Sequence, residues 1–169
     1  MSWYGSHVFL NEYITQHRCK RIMEIGVYNA DNAVSMIKTA ARNQLPKEIE
    51  YYGFDFFHSY SVERIAEKLD KLNCKYKLYQ GDTMETVPEA AKTLPKMDLI
   101  FIDGGKSYRE AWSDWENASK LMHRDTTVFV HNVGFSGVGR MVENIPDETY
   151  LVDIFHEPSE GMVAQINLK

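Results

Sequence analysis

The sequence predicts an α/β fold, doubly wound: a mostly parallel sheet with helices on both faces, closing in an antiparallel C-terminal hairpin. Short β-rich runs alternate with longer helical patterns along the chain, which is the pattern of repeated βαβ units. The last two runs are separated only by the turn "HEPSEG" (156–161), so they pair directly as antiparallel neighbours. Length sets the scale. The 169 residues suffice for one hydrophobic core and not for two, so 1–169 is expected to form a single domain.

Taken in order, residues 1–20 form an N-terminal helical segment, with a helix over 5–18, ahead of the first strand "RIMEIGV" (21–27). Helical patterns over 29–42, 60–72 and 83–92 precede the strands "IEYYGFDF" (49–56), "KYKLYQG" (75–81) and "MDLIFIDG" (97–104). The best marked helix is 107–122. Ser107 and Glu110 form a capping box there, and Ala111, Trp112, Trp115, Ala118, Leu121 and Met122 lie along one face, which assigns the tryptophans to the core. "TTVFVHN" (126–132) is the fifth strand; a short helix over 136–144 follows, and "TYLVDIF" (149–155) and "MVAQINL" (162–168) bring the count to seven.

Composition narrows the function. The chain is 44% hydrophobic and 25% charged with a net charge of −5, and no apolar run is long enough to span a bilayer. No signal-like N-terminus is evident, which points to a cytoplasmic protein. The acidic balance, without a basic patch interleaved with aromatics, argues against nucleic acid and leaves a small molecule as the expected partner. Cys19 and Cys74 lack CxxC spacing and fit reduced thiols better than a disulfide or zinc framework.

A doubly wound sheet binds its ligand outside the carboxyl ends of its strands. The residues at those ends are Glu24 with Gly26, Asp55, Gly81 with Asp82, Asp103 with Gly104 and Gly105, and His131 with Asn132. Any one of them could be a turn or a helix cap. Five successive strands closing on such residues suggest a site. The first loop, "EIGVYNADNA", selects among cofactors, because G-x-G-x-x-G would let a pyrophosphate approach the backbone and here Gly26 stands alone, with Tyr28 and Ala30 where glycines would help. No P-loop motif is present either. S-adenosylmethionine has no phosphate, so one glycine and an acid that accepts from the ribose hydroxyls, Asp55, would suffice. A dinucleotide would also use that acid, so the loop decides.

These residues carry a family resemblance. "IMEIGVYNADNA" resembles motif I of the class I S-adenosylmethionine-dependent methyltransferases, "YYGFDFF" the acidic second motif and "LYQGDTMETV" the third. The resemblance implies the seven-stranded Rossmann-like methyltransferase sheet and S-adenosylmethionine as cofactor. Glu24 and Gly26 would then lie by its methionine end, Asp55 at the ribose and Asp82 at the adenine amino group. Tyr28, Phe56, Gly81 and Asp103 complete the expected cofactor contacts; Ala30 departs from the family's frequent glycine. The stretch "IDGGKSYREAWSDWENASKLMHRDTTVFVHNV" resembles the small methyltransferases with an "IDGGHSY" strand end and a later "HD" pair. It is also similar to the cation-dependent catechol and caffeoyl-coenzyme A O-methyltransferases, which place an Asp, a Lys three residues on and a later Asp–Asn pair where this chain has Asp103, Lys106, His131 and Asn132.

The resemblance implies O-methylation of a small hydroxylated metabolite. A divalent cation at Asp103, His131 and Asn132 would lower the pKa of the acceptor hydroxyl, with Lys106 or His131 as catalytic proton acceptor. An imidazole in place of the family's Asp favours a transition metal over magnesium. Without a metal, His131 could act directly, since an imidazole titrates at about 6.5; the bland alternative is that His131 and Asn132 cap the helix after Gly134. The rival class is a non-catalytic S-adenosylmethionine-binding module, because the sequence offers little from which to build a substrate lid. A homodimer partner is the expected remedy, with Trp3, Tyr4 and Phe9 as exposed apolar candidates.

Overall fold

A computed structural model describes residues 7–158 and 161–169. Seven strands form one sheet: β1 (Arg21–Ile25), β2 (Glu50–Asp55), β3 (Lys75–Gln80), β4 (Met97–Ile102), β5 (Met122–Val130), β6 (Tyr150–Glu157) and β7 (Gly161–Leu168). Their order is β3-β2-β1-β4-β5-β7-β6, with β1 to β5 parallel and β7 antiparallel to both β5 and β6. Six α-helices accompany them among the described residues: α1 (Val8–His17), α2 (Asp31–Ala40), α3 (Val62–Leu69), α4 (Thr83–Ala90), α5 (Tyr108–Ala118) and α6 (Ser136–Glu143). The expected doubly wound architecture with its antiparallel C-terminal pair is therefore what the chain adopts.

Period-2 alternation explains why the central strands are apolar throughout. Ile22, Leu99, Phe101 and Phe129 point to one face, where α1, α2 and α3 bring Leu10, Ile14, Met36 and Ile65. Met23, Ile25, Ile100, Ile102, Val128 and Val130 point to the other, where α4, α5 and α6 bring Val87, Trp115 and Met141. Both faces are covered, so neither can carry polar residues cheaply. Glu24 is a buried carboxyl all the same, and it lies on the α1–α3 side beside Tyr51.

The predicted capping box on α5 is present in both directions: Glu110 N–H donates to the Ser107 hydroxyl, and Ser107 N–H to the Glu110 carboxylate. Trp115 is buried as expected, whereas Trp112 is only partly buried against the same cluster. β5 starts earlier than the β-branched run suggests. Its register with β4 shifts between Met97 and Leu99. The Thr126 hydroxyl bonds to Met97 O at 2.5 Å and accepts from His123 N–H at 2.8 Å, which accommodates the extra residues as a bulge.

One expectation is overturned. Phe9 is not an exposed apolar contact for a second copy but a core residue, 8% exposed and packed against Phe129 and Phe155. It sits two residues into α1, on the stripe with Leu10, Tyr13 and Ile14 that faces the sheet. Trp3 and Tyr4 lie outside the described residues. The large apolar side chains that are exposed include Leu151 and Ile154 on the edge strand β6 and Phe135 before α6. Among the described residues no helix is long and apolar enough to cross a membrane.

Candidate active site

The site is built at the carboxyl ends of β1 to β5, where sheet hydrogen bonds run on one residue past the strands. Gly26 N–H donates to Phe54 O at 2.8 Å, Gly81 N–H to Asp55 O at 3.0 Å, Asp103 N–H to Ile25 O at 2.8 Å and His131 N–H to Ile102 O at 2.9 Å. The first residue after β1, β3, β4 and β5 is thus as firmly placed as the sheet. Gly26 is at φ +91°, and a Cβ there would lie 2.3 Å from the Asp103 carbonyl oxygen. Only glycine lets β1 and β4 approach this closely where the strand order reverses.

A cleft of about 580 Å³ opens above this point, within the range of small-molecule sites. Gly26, Tyr28, Asp55, Phe56, Asp82 and Asp103 line it, as do Lys106 and, unanticipated, Thr83. Asp55 fixes two loops at once: Oδ2 accepts from Tyr28 N–H at 2.9 Å and Oδ1 from Phe57 N–H at 2.8 Å. Tyr28 and Phe57 both have positive φ, as does Ala30, so the loops around the cleft hold conformations that cost energy and that Asp55 helps to sustain. Phe56 is 44% exposed in the cleft, whereas Phe57 is buried beneath it. Asp82 has two relations: it is the N-cap of α4, accepting from Met84 N–H at 2.9 Å, and it lines the cleft.

Two expected contacts are elsewhere. Gly81 is the left-handed turn that sets Asp82 in place rather than a wall of the cleft. Glu24 is 1% exposed and lies behind the cleft, accepting from Asn32 Nδ2 at 2.7 Å and from the Tyr51 hydroxyl. Burial pushes its carboxyl up to about 7 against these two hydrogen bonds, which favour the charged form.

Asp103 organises the cluster at the end of β4. Its Oδ1 receives Lys106 Nζ in an ion pair and Asn132 Nδ2 at 2.7 Å, while Oδ2 lies 3.3 Å from His131 Nδ1. Burial alone would raise its pKa, but His131 and Lys106 bring it below the ordinary carboxylate value. His131 and Asn132 do not cap α6, whose N-cap is Phe135 and which has no side-chain cap. The sequence-predicted residues Asp103, Lys106, His131 and Asn132 thus form one cluster.

Position 7 was missed. His7, Asp103 and His131 place one ligand-capable atom each within 4.8 Å of one another, the one such group of three among the described residues. No spacing connects residue 7 with 103 and 131, so only the folded chain shows it. Asp114 was also missed, though a signal existed: it stands three residues after Ala111 and four before Ala118, on the buried face of α5. It is fully buried, and Oδ2 lies 2.6 Å from where a Cβ on Gly104 would be.

This sheet order, with a glycine-floored cleft at its switch point, is the architecture of a class I methyltransferase. The chain belongs to the family described as "Methyltransferase domain", whose model matches residues 23–133. Solved structures with the same fold include the O-methyltransferase from Bacillus cereus in complex with SAH, at TM-score 0.81 and 16% identity over 95% of this chain and 79% of that one. The O-methyltransferase TomG from Streptomyces achromogenes, involved in tomaymycin synthesis and solved with SAM, gives 0.77 and 16% over 95% and 78%. The SAH-bound methyltransferase PaMTH1 from Podospora anserina gives 0.71 and 18% over 95% and 76%. Among curated proteins there is no match.

Proposed function

We propose that the chain is an S-adenosylmethionine-dependent O-methyltransferase acting on a small hydroxylated molecule. The observation that carries this is the layout of one cleft across the switch point: Asp55, Phe56 and Asp82 stand at the ends of β2 and β3 on one side of β1, and Asp103 with Lys106 at the end of β4 on the other. Asp55 has lone pairs left after its two backbone contacts, enough to accept from ribose hydroxyls. Phe56 offers an exposed ring for a base, and Asp82 an acceptor for an exocyclic amine. Gly26 keeps the floor open, and Glu24 acts from behind by holding Asn32 and hence the start of α2. Bound S-adenosylmethionine would supply an electrophilic methyl group on its sulfonium.

The chain's own residues then align the acceptor and take its proton. Asp103 and His131 are the members of the expected metal set that face each other; Asn132 directs its amide to the opposite oxygen of Asp103. A divalent cation at Asp103 and His131 would acidify a bound hydroxyl. Lys106, within reach of the same carboxylate, is the residue that would take that proton. The 3.3 Å contact between His131 and Asp103 also supports a metal-free version, in which Asp103 orients the imidazole and His131 takes the proton itself.

Calorimetric titration with S-adenosylhomocysteine and with NAD tests the cofactor; preference for NAD would overturn the assignment. Asp55→Asn presents an amide donor to one of two backbone N–H groups and is expected to weaken S-adenosylhomocysteine binding by about 10- to 100-fold, the loss of a charged hydrogen bond. Unchanged affinity would remove Asp55 from the ribose. His131→Ala and Lys106→Ala are each expected to lower turnover by about 100-fold or more while leaving cofactor affinity within a few-fold. Full turnover in both would leave a binding module without catalysis. Chelation separates the two proton routes, since only the metal-assisted one is lost.

A further inference from the structure

We propose that His7, at the head of α1, is the third protein ligand of a divalent transition-metal site with Asp103 and His131. The proposal deepens the metal-assisted reading above and rests on it, with His7 in the place expected for Asn132. The three residues are half-buried, and their ligand-capable atoms lie within 4.8 Å of one another. The two imidazole rings are 4.9 Å apart, centroid to centroid, at 57° to each other.

Division of labour on Asp103 makes room for an ion. Lys106 and Asn132 both engage Oδ1, so a cation at Oδ2 beside His131 Nδ1 need not displace either. The 3.3 Å between Oδ2 and Nδ1 matches two ligands on one ion at roughly 2.0–2.2 Å from each. No two of the three ligand-capable atoms are more than 4.8 Å apart, so at most a modest contraction brings each pair to the spacing of neighbouring ligands.

His7 is held in place by the fold. Its backbone N–H reaches Asn32 Oδ1 at 3.5 Å, and Asn32 is tied to Glu24 and through it to Tyr51, a buried polar chain running from the sheet to the head of α1. The ring packs against Phe101 at 4.9 Å and Phe9 at 5.4 Å. This gives the buried carboxyl of Glu24 a structural purpose: it positions the loop and helix that carry a ligand.

Two imidazoles and one carboxylate form a borderline donor set suited to manganese, iron, cobalt, nickel or zinc. Magnesium demands octahedral oxygen ligands and is poorly served here. Three protein ligands leave coordination positions for an acceptor oxygen. An ion so bound would also fasten α1 to the ends of β4 and β5, making metal affinity and docking of the N-terminal helix one equilibrium.

The test is cobalt titration of tag-free, chelator-stripped full-length protein, followed by visible d–d absorption, with S-adenosylhomocysteine calorimetry on the same samples. One cobalt per chain is expected, unaffected by millimolar magnesium. His7→Ala and His7→Gln should each weaken cobalt binding by about tenfold or more while S-adenosylhomocysteine affinity stays within a few-fold. Asn132→Gly, which keeps the left-handed backbone at φ +62° and removes only a hydrogen bond to Asp103, should weaken cobalt binding less than either His7 variant does. Absence of cobalt binding in protein that binds S-adenosylhomocysteine overturns the proposal, as does wild-type cobalt affinity in both His7 variants. His7-dependent cobalt binding without S-adenosylhomocysteine binding upholds the metal site and overturns the methyltransferase assignment instead.

Discussion

Gly26→Ala is expected to destabilise the protein by about 2–5 kcal/mol and to abolish S-adenosylhomocysteine binding. An alanine at φ +91° costs roughly 1–2 kcal/mol in backbone strain. Its Cβ would also stand 2.3 Å from the Asp103 carbonyl oxygen and 2.8 Å from the carbonyl carbon. These are backbone atoms in the sheet ladder, and they can retreat only by breaking the 2.8 Å bond from Asp103 N–H to Ile25 O, an overpacking cost of about 1–3 kcal/mol. The midpoint of thermal unfolding should fall by roughly 5–15 °C. Gly134→Ala is the control, because nothing lies within 4 Å of a Cβ there and stability should change by less than about 0.5 kcal/mol. Equal unfolding of Gly26→Ala and wild type would show that β1 and β4 do not approach at this residue.

Raising the pH from 5 to 8 is expected to destabilise the wild type, and Asp114→Asn to remove part of that loss. Burial raises Asp114 from 3.8 to about 7, helped by Glu110 and Asp82, while the Thr83 hydroxyl and Lys106 oppose it. Burial likewise raises Glu24 from 4.5 to about 7. A carboxyl whose folded pKa lies above its unfolded one binds more protons when folded. Its stabilising contribution is complete below the unfolded pKa and is lost as pH rises through the folded one. For Asp114 the loss between pH 5 and 7 is on the order of 2–3 kcal/mol, at about 1.4 kcal/mol per unit. The variant carries a neutral amide of the same shape. Its unfolding midpoint should lie above wild type by a margin that widens by roughly 5–10 °C between pH 5 and pH 8. Parallel midpoint-against-pH curves would remove Asp114 as a buried acid. Glu24 titrates in both proteins, so some decline persists in the variant.

Much of this molecule is legible along the chain because its signals are local. Strand and helix periodicity, the Ser107–Glu110 capping box and the turn between β6 and β7 each depend on residues a few positions apart. The strand-end residues are legible for the same reason, since a parallel sheet must place every carboxyl end on one rim, and Asp55, Asp82 and Asp103 meet there in one cleft. The early start of β5 escaped because a bulge is fixed by register with β4, which no β5 residue announces. Phe9 escaped because a single aromatic near the N-terminus looks the same whether α1 docks on the sheet or leaves it exposed.

By itself the sequence determined the order of elements, the winding of the sheet and the set of polar groups delivered to its rim, because periodicity and chain direction fix these through short-range geometry. Only the tertiary structure decided that Glu24 turns inward to Tyr51 and Asn32, that Asp114 is sealed beneath Gly104, and that His7 stands beside Asp103 and His131. Those outcomes depend on how close two segments distant in the chain come to each other. That separation is set by side-chain packing across the whole core, to which residues far from either segment contribute.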